Sequence, residues 1–237
     1  FSPGSTITHD GRLLRLEARL NAGLTGEVFE GWLEEEHGVD THVAVKVMKA
    51  LDFPMARAMF MKESEVLSHL EHVEDSANKE QDTVFKIAPH FYGRGERGDI
   101  PYLVMEFIDG VPLPKLLQKQ GSLGERQALR IAWHLFRTLD LMHSKLDKTY
   151  IDLKLENLWW VEKAEQGEQE YGQLKLTDFG TLDDIRVGSQ SAGRGIRRDI
   201  LLGHIYLCAF VTGRMLKFAV GELNEPSEPV LRECEVV

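Results

Sequence analysis

The sequence predicts an α+β protein of two lobes, with a strand-rich first half and a mainly helical second half. Up to Phe107, short segments alternate polar and apolar residues, interrupted by one segment with helical spacing. From Pro112 onward, longer segments repeat apolar residues every three or four positions. Between the halves lies the turn-forming pair Asp109-Gly110. Strands followed by helices are typical of an α+β arrangement.

These patterns divide the chain into a β-rich N-lobe over residues 1–106, a hinge over 107–112 and a helical C-lobe over 113–237. We expect strands at 13–20, 27–33, 42–48, 91–93 and 102–107, and a hairpin formed by 158–161 and 174–177. Helices are expected at 56–70, 126–144 and 200–211. The charged segment 71–83 is expected to be an exposed loop.

Charge, cysteine content and the length of apolar stretches argue against several classes of protein. The 237 residues carry a net charge of −10, which argues against a nucleic-acid partner, so an anionic ligand needs a local cationic site. Cys208 and Cys234 form no disulfide framework and no metal-ligand pattern, which favours a reducing compartment such as the cytoplasm. The longest apolar stretch, residues 200–211, is too short to span a membrane.

A glycine-containing turn lies between the first two expected strands. Gly23 and Gly26 are preceded by Leu20 and Asn21 and followed by Val28. Glycine lets a backbone turn approach phosphates closely and aim its N–H groups at them. Taken alone, an ordinary hairpin turn explains this segment better.

Lys46 ends the apolar run Val43-Ala44-Val45-Lys46 of the third expected strand. A lysine inside an apolar strand needs an anion, because burying an unpaired ammonium is very costly. Glu63, on the following helix, is a candidate partner. A solvated edge-strand lysine and a surface glutamate remain the alternatives.

Carboxylates and an amide recur further along the chain. Asp152 and Asn157 lie five residues apart on an expected loop, where a carboxylate can meet a hydroxyl while an amide oxygen reaches a metal. Asp178-Phe179-Gly180 follows the strand-like 174–177, and Asp178 is a plausible Mg²⁺ ligand. The tripeptide alone also suits a plain turn.

In order and spacing, these five elements together resemble the signature of the eukaryotic-like (Hanks-type) serine/threonine protein kinase domain. The resemblance runs from Leu13 to Gly213. It includes a hinge-like strand at 102–110 and a buried helix at 198–213 of the kind that supports the catalytic loop.

The resemblance implies binding of Mg-ATP and transfer of its γ-phosphate to a protein serine or threonine. Lys46 would hold the α- and β-phosphates and Glu63 would fix Lys46, while Asp178 and Asn157 would bind Mg²⁺. Asp152 would accept the hydroxyl proton, and Lys154 would contact the transferring phosphate. The nucleotide would also contact the glycine turn through Leu20, Asn21, Gly23 and Gly26. Its base would contact Val28 and Ala44 of the strands and the backbone of Glu106 and Ile108 at the hinge.

Three departures from the family pattern stand out. Tyr150-Ile151 replaces the usual His-Arg, although the tyrosine ring can still pack against Phe179. Only residues 181–198 precede the Asp199 helix, and they contain no Ala-Pro-Glu. Compared with a full kinase domain, the expected C-lobe is shortened. In this it resembles minimal kinases that bacterial pathogens deliver into the cytoplasm of host cells. This shortening predicts an activator or dimer contact at the C-lobe.

Two alternatives stay open. One is a pseudokinase, which binds nucleotide as an interaction module. The other is a small-molecule kinase of the aminoglycoside or choline type, which shares the spacing of Asp152 and Asn157.

Overall fold

The computed structural model describes residues 1–23, 26–36, 38–49, 54–81, 86–150, 153–162, 172–185 and 190–213. Within them, a six-stranded antiparallel sheet and one long helix precede a mainly helical part. The predicted α+β arrangement, with a β-rich N-lobe and a helical C-lobe portion, is thereby confirmed.

The N-terminal sheet has the strand order β1-β2-β3-β4-β6-β5. Its strands are β1 (Thr6–His9), β2 (Arg12–Ala22), β3 (Gly26–Leu33), β4 (Thr41–Met48), β5 (Phe91–Arg97) and β6 (Ile100–Glu106). Burial alternates along β3 and β4, as expected for strands with one face in a core. Side chains of the fully buried face, among them Phe29, Val43 and Val45, form one hydrophobic core.

A single helix, α1 (Pro54–Gln81), connects β4 to β5. The helix predicted at 56–70 is confirmed, but the exposed loop predicted for 71–83 is wrong for residues 71–81. The physical reason is that Leu70, Glu74 and Ala77 remain buried at helical spacing, while His72 and Ser76 between them are exposed.

The helical part begins at β7 (Val111–Pro112), and its described residues form three α-helices and several short strands. These elements are α2 (Leu113–Gln120), α3 (Glu125–Lys145), β8 (Lys148–Tyr150), β9 (Leu158–Val161), β10 (Gln173–Leu176), β11 (Leu182–Asp184) and α4 (Gln190–Thr212). The predicted hairpin is confirmed as the antiparallel pair β9 and β10, and β8 pairs with β11. A second core joins α3 and α4 to the inner face of α1.

Helix α4 includes the segment 200–211 that was predicted to be helical, but the expectation of a buried helix is right for one face only. Ile205, Tyr206, Ala209 and Phe210 are buried, whereas Ile200, Leu201 and Val211 are exposed. Among the described residues, no helix is both long and apolar enough to cross a membrane.

Candidate active site

Lys46 lies at the centre of a charged cluster between the sheet and α1. Its Nζ is 2.5 Å from Glu63 Oε2 and 3.5 Å from Asp178 Oδ1. The pairing of Lys46 with Glu63, predicted from the sequence, is thereby confirmed. Glu63 is 3% exposed, whereas the Asp178 side chain is 45% exposed. One buried and one accessible carboxylate therefore share one ammonium group.

The packing of α1 explains why Glu63 reaches this point. Phe60, Val66 and Leu67 are buried on the same side of the helix, and Phe60 packs with Met48 and Leu103 of the sheet. This packing presses the Glu63 side chain against β4 and the Asp178 turn.

Electrostatics favour a cationic Lys46. Burial on its own lowers the pKa of Lys46, but attraction to Glu63 and Asp178 outweighs burial, so that the pKa is raised above its usual value. The backbone N–H of Phe179 also donates a hydrogen bond to Glu63. Lys46 is therefore a permanent positive charge at neutral pH, next to an accessible carboxylate.

Asp178 adopts a left-handed backbone conformation, with φ of 64° and ψ of 74°. This region is uncommon for a residue with a Cβ, and such strain concentrates at functional sites. The Tyr150 hydroxyl holds the turn by donating to the carbonyls of Asp178, at 3.1 Å, and Thr177, at 3.4 Å. Thr177 N–H in turn donates to the Asn157 carbonyl at 2.9 Å, which ties Asn157 to the same turn.

Tyr150 is itself fixed by α4. Its N–H donates to Asp199 Oδ2 at 2.9 Å, and the Arg198 guanidinium donates to its carbonyl. His143 Nε2 lies 2.8 Å from the same Asp199 oxygen. The Tyr150 and Phe179 rings have centroids 6.2 Å apart, so the predicted packing of this tyrosine is confirmed.

The predicted catalytic loop is anchored on both flanks. Tyr150 precedes it, and the Leu153 carbonyl accepts a hydrogen bond of 2.6 Å from the Tyr206 hydroxyl of α4. Asp152, predicted as the catalytic carboxylate, lies outside the described residues, as does Ile151. Lys154 is exposed and Asn157 is half-buried, on a short 3₁₀ turn that follows the anchored segment.

The glycine turn is closed by a hydrogen bond of 2.8 Å from Gly23 N–H to the Gly26 carbonyl. Leu20 and Asn21 belong to β2, where Asn21 pairs with Val28. At Gly26, a Cβ would stand 2.5 Å from the Val47 carbonyl oxygen. Glycine is therefore required there by the close approach of β3 and β4. Lys49 Nζ donates to the Gly23 carbonyl at 2.9 Å, a cation at this turn that the sequence analysis missed.

The hinge is tied to its surroundings through Glu106. The Glu106 carboxylate accepts a hydrogen bond of 2.8 Å from Lys175 Nζ and one of 3.0 Å from His90 N–H. Ala44 and Met105 pair across β4 and β6, and the Ile108 carbonyl accepts Gly110 N–H at 3.0 Å. The sequence analysis missed Lys175, although it lies between two leucines as Lys46 lies between valines.

Two of these residues fit a magnesium site. Mg²⁺ takes few protein ligands, usually one or two carboxylates or other oxygens, and keeps waters and substrate phosphates for the rest. Asp178 offers an accessible carboxylate, and Asn157 is linked to its turn through Thr177. The described residues contain no cluster of three or more His, Cys, Asp or Glu suited to a metal. A magnesium ion held by Asp178 and Asn157 would take its other oxygens from water and from a bound nucleotide.

Comparison with known proteins agrees with this geometry. The family model of the protein kinase domain matches residues 15–197, which is most of the chain. The chain therefore belongs to the protein kinase family.

Several curated relatives are named as bacterial serine/threonine kinases. PknA of Mycobacterium tuberculosis is 29% identical over 188 residues, and pkn2 of Myxococcus xanthus is 33% identical over 183 residues; each alignment covers 76% of this chain. PrkC of Bacillus subtilis is 27% identical over 152 residues, or 63% of this chain. The alignments cover 37%, 19% and 20% of these relatives, so the chain spans well under half of each.

Proposed function

We propose that this protein is an ATP- and Mg-dependent serine/threonine protein kinase. The observation that carries the proposal is the cluster of Lys46, Glu63 and Asp178. It combines a fixed cation, a buried carboxylate that holds it, and an accessible carboxylate in a strained turn. Phosphoryl transfer needs positioned charges of this kind more than it needs covalent chemistry from the protein.

In the proposed mechanism, Lys46 binds the α- and β-phosphates and Glu63 keeps its ammonium in place. Asp178 and Asn157 would hold magnesium, which would offset the negative charge of the nucleotide phosphates. Asp152 orients the acceptor hydroxyl and takes its proton, which contributes about 10²- to 10⁴-fold to the rate. Lys154 contacts the phosphate that is transferred.

The nucleotide base is assigned to the cleft side of the sheet. Val28, Ala44 and Lys46 share the half-buried face of β3 and β4. We propose that adenine lies against Val28 and Ala44, with Leu20, Asn21, Gly23 and Gly26 above the phosphates. The backbone of Glu106 and Ile108 would bond the edge of the base.

A serine or threonine acceptor is supported by two observations. Lys154 stands two residues after Asp152, as in the serine/threonine class that the sequence resembles. PknA, pkn2 and PrkC carry that class in their names.

The location and partners of the protein form the less specific part of the proposal. We propose a cytoplasmic protein whose substrate is another protein. The exposed Ile200, Leu201 and Val211 of α4 offer an apolar surface for an activator or a second copy of the chain. Sedimentation velocity at several protein concentrations tests the second-copy version.

Nucleotide binding and phosphoamino-acid analysis test the proposed function. At a hundred times its dissociation constant, Mg-ATP should stabilise the protein by about 2.7 kcal/mol in a thermal melt. Lys46→Met should lose most of this effect, while Lys115→Met, at an exposed lysine of α2, should keep it. Radiolabel from the γ-phosphate should appear on serine or threonine of a generic acceptor protein. Binding without any transfer would favour the pseudokinase, and label on an aminoglycoside or choline would favour the small-molecule kinase.

A further inference from the structure

Three rings stack where β3, β4 and the hinge meet. The His42 ring lies between Trp32, with centroids 4.3 Å apart and planes at 8°, and Phe107, with centroids 3.9 Å apart and planes at 18°. His42 is the central ring. Removing it therefore breaks both stacked contacts at once.

His42 holds Phe107 through its backbone as well. The His42 carbonyl accepts the N–H of Phe107 at 3.4 Å, and its ring Nε2 lies 2.9 Å from Glu30 Oε1. Phe107 is the first residue of the hinge. This end of the hinge is therefore joined to the sheet by one backbone hydrogen bond and one stacked ring.

The stack lies on the same face of the sheet as Ala44 and Lys46. Trp32 pairs with His42 in the β3–β4 register, and the next pair on the same face is Glu30 with Ala44. His42, Ala44 and Lys46 are all half-buried at alternate positions of β4. His42, the central ring of the stack, is therefore the next residue of β4 on the same face as Ala44, against which the base is proposed to lie.

We propose that His42 is a positioning residue for nucleobase selection, acting through Phe107 on the hinge backbone. This inference rests on the proposed function, because it concerns the site where the base would bind. Phe107 stands between Glu106 and Ile108, the residues whose backbone groups would bond the base. Fixing its ring fixes the direction of these groups, and adenine and guanine present different donors and acceptors to them.

The sheet supports the stack independently of any ligand. Phe29, Val43 and Val45 are buried on the opposite face and keep β3 and β4 in register. Replacing the His42 ring therefore leaves the strand core intact. The change acts on the hinge, while Glu106, which precedes the hinge, stays bonded to Lys175.

The test compares kcat/KM for Mg-ATP and Mg-GTP in wild type, His42→Ala and His42→Phe. His42→Ala should lower the ratio of ATP to GTP efficiency by about tenfold, as expected from the loss of two stacked pairs. The loss should come mainly from KM for ATP, with kcat largely kept. His42→Phe, which preserves a ring between Trp32 and Phe107, should restore the ratio.

Two further variants control the experiment. His204→Ala removes a histidine of α4 that contacts a single aromatic ring, Phe136, in the helical part, and should leave the ratio unchanged. Phe107→Leu removes the other half of the hinge stack and should lower the ratio as His42→Ala does, which covers the case of a His42→Ala protein that fails to fold.

An equal loss of efficiency for ATP and GTP, or a lower melting temperature with an unchanged ratio, would overturn the inference and leave the stack as a source of fold stability. Failure of the proposed function is distinguishable from this result. If the wild type transfers no phosphate, competition by ADP and GDP against a fluorescent ATP analogue measures the same selectivity. Loss of ADP preference in His42→Ala then supports the role of His42, and unchanged preference rejects it.

Discussion

Lys175 Nζ lies 2.8 Å from Glu106 Oε2, so the strand that leads to Asp178 is tied to the residue that precedes the hinge. Lys175 is 7% exposed, and its ammonium also donates to the Ala88 carbonyl at 3.3 Å. The contact links the β9–β10 hairpin of the helical part to the N-terminal sheet.

Breaking this pair should cost stability. Lys175→Met leaves the Glu106 carboxylate without its cation, and we expect the free energy of unfolding to fall by about 1–3 kcal/mol. Denaturant titration measures the change. In a double-mutant cycle with Glu106→Gln, the two losses should be less than additive, because each variant removes the same contact. Strictly additive losses would show that the contact is not formed in solution.

Removal of Lys46 should affect stability and nucleotide binding differently. Lys46→Met leaves Glu63 buried without its cation, so we expect a loss of about 2–4 kcal/mol in the free energy of unfolding. Adding Glu63→Gln should recover part of that stability because the buried charge is gone. Neither variant should bind Mg-ATP as the wild type does, since both lack the ammonium that is proposed to bind the phosphates. Recovery of nucleotide affinity in the double variant would contradict the assignment of Lys46.

His134 predicts a loss of stability in acid. Burial, reinforced by Arg130, lowers the pKa of His134 to about 4, and its Nδ1 accepts Leu174 N–H at 3.1 Å. Between the unfolded pKa of about 6.5 and the folded value, the unfolded chain binds the extra proton. The free energy of unfolding should therefore fall by about 1.4 kcal/mol per pH unit as pH drops through this range.

The matched variant is His134→Asn, whose amide oxygen can accept the same N–H without titrating. Its unfolding free energy, measured from pH 7 to pH 4, should fall less steeply than that of the wild type. Parallel curves for the two proteins would show that His134 is accessible to protons in the folded state.

The main elements of the fold were predictable because each has a hydrophobic pattern within its own local sequence. The alternation of apolar and polar residues predicted β3 and β4. Helical spacing of apolar residues predicted both ends of α3 to within one residue. The contact between Lys46 and Glu63 was predictable because a lysine in an apolar strand requires an anion. The roles proposed for the site residues remain predictions.

Other features depend on contacts between distant parts of the chain. The end of α1 was missed because Glu74 looks like a loop residue, whereas its buried carboxylate accepts the N–H groups of Ile87 and Ala88. Strands β8 and β11 have three residues each, which is too short for a recognisable pattern, and they are strands because they pair with each other. Strand β1 did carry a signal, the Asp10-Gly11 pair, whose positive φ angles of 46° and 80° form a tight hairpin turn.

Phosphotransfer by the Asp152→Asn variant is the most direct test of the proposed kinase activity. The substitution keeps the size of the side chain but removes the carboxylate that is proposed to accept the hydroxyl proton. Mg-ATP should still raise the melting temperature of this variant, while transfer of the γ-phosphate to an acceptor protein should fall by about 10²-fold or more. Full phosphotransfer activity in Asp152→Asn would show that Asp152 is not the catalytic carboxylate.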